Sequence, residues 1–135
     1  MITYLGLGSN LGNKTEHIAC ATRLINDQVG VVLRRSSDFV SEPWGFHSEN
    51  TFLNIVLAVE TQLQPLALLR QLQAIEREMG RTQKTKLGEY KDRIIDIDIL
   101  LYDNVEIHLP ELSIPHPLIE QRDFVRIPLS EVMEK

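Results

Sequence analysis

Two aspartates stand inside the otherwise apolar run RIIDIDILLY, residues 93–102. In a β-strand, residues i and i+2 point to the same face, so Asp96 and Asp98 are predicted to project together, about 6.6–6.8 Å apart along the strand. Adjacent carboxylates repel each other, and a divalent cation removes that conflict. The pattern favours a site for one or two Mg²⁺ ions. The alternative is a wet sheet face on which both aspartates are solvated, and D-x-D alone is a common pattern.

A cationic segment lies immediately before this pair. Residues 81–93 carry five basic and two acidic side chains, a local balance of +3 in a chain of net charge −5. A metal site beside a basic loop suits a polyphosphate, because cations neutralise the charge on the phosphoryl oxygens. The loop is also long enough to close over a substrate as a lid. Taken alone, it could equally be a lysine-rich solvated loop; together with the aspartates it predicts a Mg-nucleotide site.

The hydrophobic periodicity predicts the elements that would hold these groups. Strands are expected at 2–8, 29–37, 52–60 and about 94–101, and helices at 14–27 and from Pro65 to just before Gly80. Asn13 followed by Glu16 is a helix-capping pattern. The order β-α-β-β-α-β predicts an α+β, ferredoxin-like fold: a mostly antiparallel sheet with both helices on one face.

The last strand and its surroundings carry three further expectations. Ile95, Ile97, Ile99 and Leu101 should pack under the helices, opposite the aspartates. After an Asp103–Asn104 turn, residues 105–109 could pair back as a hairpin. The C-terminal region is interpreted as a strand region. A length of 135 residues predicts one domain, 1–135.

Composition narrows the class of protein. Hydrophobic residues make up 43% and charged residues 24%, which is typical of a globular protein. The net charge of −5 argues against nucleic acid or a membrane surface as partner. We find neither a signal-peptide pattern nor an apolar run of about 20 residues. One cysteine, Cys20, fits a cytoplasmic location and is predicted to be a small buried hydrophobe rather than a reactive thiol.

Two nucleotide-binding patterns are excluded. The Walker A motif is missing, and the glycines at 6, 8 and 12 do not have the spacing of a dinucleotide fingerprint.

Seven motifs do match a known family in order: GLGSNLGN, SEPWG, FLN, IEREMGR, RIIDIDILL, IPHP and RDFV. Spread over residues 4–128, they resemble 6-hydroxymethyl-7,8-dihydropterin pyrophosphokinase.

The resemblance implies an enzyme that transfers pyrophosphate from ATP to the hydroxymethyl group of a reduced pterin, releasing AMP, in folate biosynthesis. It implies two Mg²⁺ ions and ATP as co-substrate. We expect the chain to be a monomer. The implied catalytic residues are Arg81, Arg93, Asp96 and Asp98, the two aspartates being the metal ligands. The implied pterin contacts are Pro43, Phe52, Asn54 and Phe124. The implied ATP contacts are Gln73, Glu76, Arg81, Arg93, Ile99, Ser113, His116 and Arg122.

The residue types agree with these roles, although each has a structural alternative. Phe52 and Phe124 could stack on a flat pterin ring or be ordinary core. Asn54 could read the pterin edge by donating and accepting, or be a satisfied structural amide. His116, between two prolines, could be a surface histidine.

The chain also departs from the family pattern. Gln83 stands where many members have a second loop arginine, Tyr90 where they have a lid tryptophan, and Glu111 where they have an arginine near adenosine.

The rival hypothesis is a non-catalytic ferredoxin-like domain that holds a nucleotide. RNA binding on the sheet is disfavoured, because that face carries two aspartates and lacks the aromatic RNA-binding pattern.

Overall fold

The computed structural model describes residues 1–42, 51–80 and 94–133. Its strands are β1 Ile2–Ser9, β2 Gly30–Arg35, β3 Phe39–Ser41, β4 Phe52–Thr61, β5 Asp96–Tyr102, β6 Ile107–Leu109 and β7 Leu112–Ile114. Its helices are α1 Lys14–Gln28, α2 Pro65–Glu78 and α3 Asp123–Val132, with a 3₁₀ turn at Ile119–Gln121.

The main sheet has the strand order β2–β4–β1–β5, and β3 pairs with β4 beyond the end of β2. Every pairing is antiparallel. The two central strands belong to successive units of the chain: β1 is followed by α1 and β2, and β4 is followed by α2 and β5. The predicted α+β, ferredoxin-like β-α-β-β-α-β fold is therefore confirmed.

Local signals explain where the two long helices begin and end. Asn13 Oδ1 accepts a hydrogen bond from the Glu16 backbone N–H at 3.1 Å, as the capping pattern predicted. Pro65 occupies the first turn of α2, where its missing N–H costs nothing. Gly80 follows α2 with φ of +103°, a conformation that favours glycine and ends the helix.

The helix-facing side of the sheet forms the larger core. Leu5 and Leu7 of β1 stand opposite Leu57 and Ile55 of β4. The main contributors from α1 and α2 are Ile18, Ala21, Ile25, Leu68, Leu72 and Ile75. Because apolar residues alternate along both central strands, the helix-facing side of β1 and β4 is buried.

A third helix, α3, covers part of the opposite face, and the prediction of a C-terminal strand was wrong. Val125, Leu129 and Val132 lie at helical spacing and pack on Val56 and other apolar residues of that face. Pro128 lies inside this helix, where it removes a backbone hydrogen bond. Burial of the apolar stripe outweighs that loss. In the described ranges, no helix has the length and apolar character needed to cross a bilayer.

Two details near β5 also differ from expectation. A register shift between Tyr4 and Leu5 of β1 places a bulge in β5, so Leu101 joins the α3-side cluster and Tyr102 faces the helices instead. Ile95, Ile97 and Ile99 do pack under the helices. The predicted hairpin with β5 was wrong: β6 pairs with β7, and the ladder bonds of Ile107–Leu109 are made with Leu112–Ile114 instead.

Candidate active site

Two glycines of β1 separate the polar groups of β4 from those of β5. Gly8 pairs with Asn54 on one side and with Asp96 on the other. Gly6 pairs with Val56 and with Asp98. Ile97, between the aspartates, faces the helices, so both carboxylates project from the other face. Asn54 and Asp96 thus lie on one face, two strand spacings or about 9–10 Å apart.

The two aspartates fit a hard cation. Both are partly exposed, on adjacent same-face positions of an edge strand, and carboxylate oxygens are ligands that Mg²⁺ prefers. No group of three or more histidine, cysteine or acidic residues that could hold a metal occurs in the described ranges. Two protein carboxylates completed by water and substrate oxygens is a common arrangement for Mg²⁺ in phosphoryl-transfer sites. The metal-ligand role stays a prediction.

Asn54 is buried, and its amide is held in one orientation. Nδ2 donates to the Phe39 carbonyl at 3.0 Å and to Ser41 Oγ at 2.8 Å, with a longer contact of 3.4 Å to the Phe52 carbonyl. The amino group is therefore occupied by structural bonds, as the structural alternative expected. Oδ1 points the other way, over Gly8. Asn54 can thus serve a ligand as an acceptor, but its donor function is already used.

The two aromatic residues lie on this same face. The Phe52 ring reaches over Gly8, and Phe124, in the first turn of α3, packs against the cluster that includes Val56. Both are only partly buried. The Arg122 guanidinium lies 5.5 Å from the centre of the Phe124 ring, a cation–π distance. Stacking of a ligand between these rings stays a prediction.

The outer edge of β5 is bonded to two of the expected ATP contacts. Glu76 of α2 is buried, and its Oε2 accepts from the Ile97 backbone N–H at 2.8 Å. Further along, the His116 backbone N–H donates to the Leu100 carbonyl at 3.0 Å. The strand that carries the aspartates is therefore held on both edges, by β1 and by these two residues.

His116 is held as a neutral imidazole. Its Nδ1 accepts from the Leu118 backbone N–H at 3.2 Å, which leaves the ring proton on Nε2. Burial lowers the pKa of His116 below its ordinary value of 6.5, Arg122 lowers it further, and Asp96 opposes the shift. Two of these causes are the charges of Arg122 and Asp96, which are themselves expected site residues.

We expect the NMR titration of His116 to have a midpoint below 6.5. Because the folded pKa is depressed, the neutral ring contributes stability above the unfolded value, and that contribution is lost as pH falls through the folded pKa. The free energy of unfolding of a His116→Gln variant should accordingly fall less between neutral and acidic pH than that of the wild type. A midpoint at or above 6.5 would contradict this environment.

The remaining expected residues are placed as follows. Gln73 is exposed on α2, Ser113 lies in β7 opposite His108, and the Ile99 side chain is in the helix-side core. Glu111 is at the surface, 3.7 Å from Arg70 of α2. Pro43, Arg81 and Arg93, together with Gln83, Tyr90 and the predicted lid, lie outside the described residues.

Sequence reasoning missed one contact of the site. Lys14 Nζ, at the start of α1, donates to the Thr51 carbonyl at 3.1 Å, directly before Phe52. This bond ties the first helix to the beginning of β4. A lysine at a helix start carries no signal of such a partner, because the contact spans 37 residues.

Comparison with known proteins identifies the relatives of this chain. Residues 4–134 match the family model described as 7,8-dihydro-6-hydroxymethylpterin-pyrophosphokinase. The 2-amino-4-hydroxy-6-hydroxymethyldihydropteridine pyrophosphokinase of Porphyromonas gingivalis is 50% identical over 132 residues, which cover 97% of this chain and 90% of the relative. The enzyme of the same name from Aquifex aeolicus is 40% identical over 129 residues, covering 96% and 78%.

Solved structures support the fold. The chain matches "HPPK-DHPS in complex with substrates" with a TM-score of 0.74 and 16% identity, over 98% of this chain and 40% of that one. A Plasmodium falciparum HPPK-DHPS mutant gives a TM-score of 0.74 at 17% identity, over 92% of this chain and 38% of that one. The chain thus spans about two fifths of these longer proteins. With the family match over nearly its whole length, the chain belongs to the 7,8-dihydro-6-hydroxymethylpterin-pyrophosphokinase family.

Proposed function

We propose that this chain transfers pyrophosphate from ATP to 6-hydroxymethyl-7,8-dihydropterin, giving AMP and the pterin diphosphate. Family membership supports the reaction class. The observation that carries the proposal is the row across the sheet in which Asn54 and Asp96 flank Gly8. In this row, an amide able to hydrogen-bond to a heterocycle lies on the same face as a carboxylate able to hold a metal. A domain that only binds a nucleotide does not need that amide.

The pterin side is assigned to Phe52, Asn54 and Phe124. Two partly exposed rings on one face can stack on a flat heteroaromatic ring and shield it from water. Asn54 Oδ1 would accept a hydrogen bond from a pterin N–H, since Nδ2 is held by β3. This arrangement favours ligands that present a donor to Asn54. Pro43 is assigned to the same side by the family resemblance alone.

The phosphate side is assigned to Asp96 and Asp98, which would hold two Mg²⁺ ions. When bound, these ions neutralise the phosphoryl charge and orient the phosphate chain. Arg81 and Arg93 are proposed to neutralise the charge that remains. Gln73, Glu76, Ser113, His116, Arg122 and the backbone at Ile99 are the proposed contacts for the rest of ATP.

The chemical step is an in-line displacement. A bond forms between the pterin hydroxymethyl oxygen and the β-phosphorus, and the bond from that phosphorus to the oxygen of the α-phosphate breaks. The hydroxyl proton is released, and AMP leaves with the bridging oxygen. No described side chain stands out as a strong general base, and positioning with charge stabilisation supplies most of the catalysis in such transfers.

We expect AMP to form from ATP and Mg²⁺ only when the pterin is added, in equal amount with a pyrophosphorylated pterin. Chromatographic separation of AMP, ADP and pterin products measures this directly, with EDTA in place of Mg²⁺ as control. ADP as product would contradict the bond assignment. Binding of both ligands without AMP would favour the rival, a non-catalytic nucleotide-binding domain.

We also propose that the chain acts as a monomer in the cytoplasm. The location is supported by the single cysteine, which rules out a disulfide within the chain, since disulfides are typical of small secreted domains. Light scattering on the purified protein tests the first point, and fractionation of the source cells tests the second.

A further inference from the structure

Gly8 lies beneath two side chains of the proposed pterin site. A Cβ added at Gly8 would be 3.1 Å from Asn54 Oδ1 and 3.4 Å from Phe52 Cδ1. The first distance is tighter than ordinary van der Waals contact, so the amide would have to move by a few tenths of an ångström. Gly8 is itself buried, because these two side chains cover its backbone.

Asn54 has little freedom to give way. Its Nδ2 bonds to the Phe39 carbonyl and to Ser41 Oγ hold the amide toward β3. Displacing Oδ1 away from Gly8 would stretch these bonds, which are 3.0 and 2.8 Å long. A methyl group at position 8 therefore either weakens the anchoring bonds or turns the amide out of its orientation.

Gly6 is a matched comparison within the same strand. It points to the same face as Gly8 and pairs with the other aspartate, Asp98. A Cβ at Gly6 would have only Leu100 side-chain atoms as its nearest neighbours, at 3.4–3.6 Å, which is ordinary contact. Among the described glycines, only Gly12 and Gly80 have positive φ. Backbone conformation therefore does not require glycine at position 8; the space above it does.

We propose that Gly8 is a positioning residue for the pterin subsite: its bare backbone lets the Asn54 carbonyl oxygen and the Phe52 ring lie across β1, next to Asp96. Gly8 acts through these two side chains. The inference rests on the proposed function for the identity of the ligand. The geometric part of the inference, that Gly8 places the Asn54 side chain, does not depend on the proposed function.

The kinetic test compares Gly8→Ala with Gly6→Ala in the full chain. Gly8→Ala should raise the KM for the pterin about tenfold, the loss expected for one well-formed hydrogen bond. The KM for ATP should change by less than about twofold, since the methyl group faces Asn54 and Phe52. Gly6→Ala should leave both KM values within about twofold of wild type. Equal pterin KM values for the two variants would overturn the proposal.

A double-mutant cycle tests whether Gly8 acts through Asn54. In an Asn54→Ala background the contact with Oδ1 no longer exists, so Gly8→Ala should add less than about twofold to the pterin KM. Should Gly8→Ala alone fail to fold, the double variant should fold. Full additivity, or failure of the double variant to fold as well, would overturn the proposal.

A third readout separates this inference from the proposed function. The Asn54 side-chain NH₂ signals, assigned by their loss in Asn54→Ala, should shift in Gly8→Ala and not in Gly6→Ala. If they shift while the wild type forms no AMP with the pterin, the proposed function fails and the positioning by Gly8 stands. Unshifted Asn54 signals in Gly8→Ala would refute the inference, whatever the activity.

Discussion

Replacing Asp98 with Asn is expected to lower kcat by a factor of about 10³ or more, and Asp96→Asn should do the same. The amide keeps the size of the carboxylate but removes the charge that a divalent ion requires. Mg²⁺ contributes several kcal/mol to transition-state charge stabilisation, and each 1.36 kcal/mol is about a factor of ten in rate. Single-turnover AMP formation at saturating Mg²⁺ measures the loss.

The fold should survive both substitutions. Both side chains are partly exposed and the amide keeps the size of the carboxylate, so packing is preserved, and metal-free melting of each variant checks that it is folded. Mg²⁺ with a non-hydrolysable ATP analogue should raise the melting temperature of the wild type much more than that of either variant. Asp27→Asn, an exposed change on α1, is the control for net charge. Near-wild-type turnover in either active-site variant would remove the metal model.

The features of this site that can be predicted from the sequence are those that depend on local periodicity. Strand alternation alone places Asp96 and Asp98 together, opposite Ile97, because side chains in a strand change face at every residue. The same rule places Phe52 and Asn54 on one face of β4. The element order then fixes which strands are neighbours, since few topologies accommodate β-α-β-β-α-β.

The features that could not be predicted from the sequence depend on contacts between residues that are far apart in the chain. Leu100 and Leu101 are both apolar, so alternation does not reveal the bulge that separates Leu101 from the isoleucines. Thr3 Oγ1 donates to the Leu101 carbonyl at 2.7 Å, a bond across 98 residues that helps hold the irregular segment. Likewise, α3 is stabilised by the sheet face it covers.

Asn54 shows how both sources of information are needed. Its position in an apolar strand indicated a polar role, and its side-chain partners on β3 decided which half of the amide remains for a ligand. The residue type allowed two functions, and the fold selects one. Gly8 is a second example, because its role depends on the Asn54 and Phe52 side chains that lie over its backbone.

Glu76 is the second residue whose replacement should have a large effect. Glu76→Ala is expected to lower the free energy of unfolding by about 1–3 kcal/mol, because the buried Ile97 N–H loses its acceptor. Turnover should also fall, about tenfold, since Ile97 separates the two aspartates and a looser strand misplaces both. Urea unfolding and steady-state kinetics measure the two losses.

The conservative variant decides between two roles for Glu76. In Glu76→Gln the side-chain carbonyl can still accept from the Ile97 N–H, so both losses should be much smaller than in Glu76→Ala if Glu76 acts by holding β5. A direct charge contact with ATP or its metal predicts the reverse for turnover: the Gln variant would lose as much as the Ala variant. Amide hydrogen exchange at Ile97 gives an independent readout and should accelerate in Glu76→Ala alone.

Glu78→Ala is the control on the same helix. Within the described part of the chain, its exposed carboxylate bonds only to the Gln28 side chain, at 3.3 Å, so the stability change should stay within about 0.5 kcal/mol.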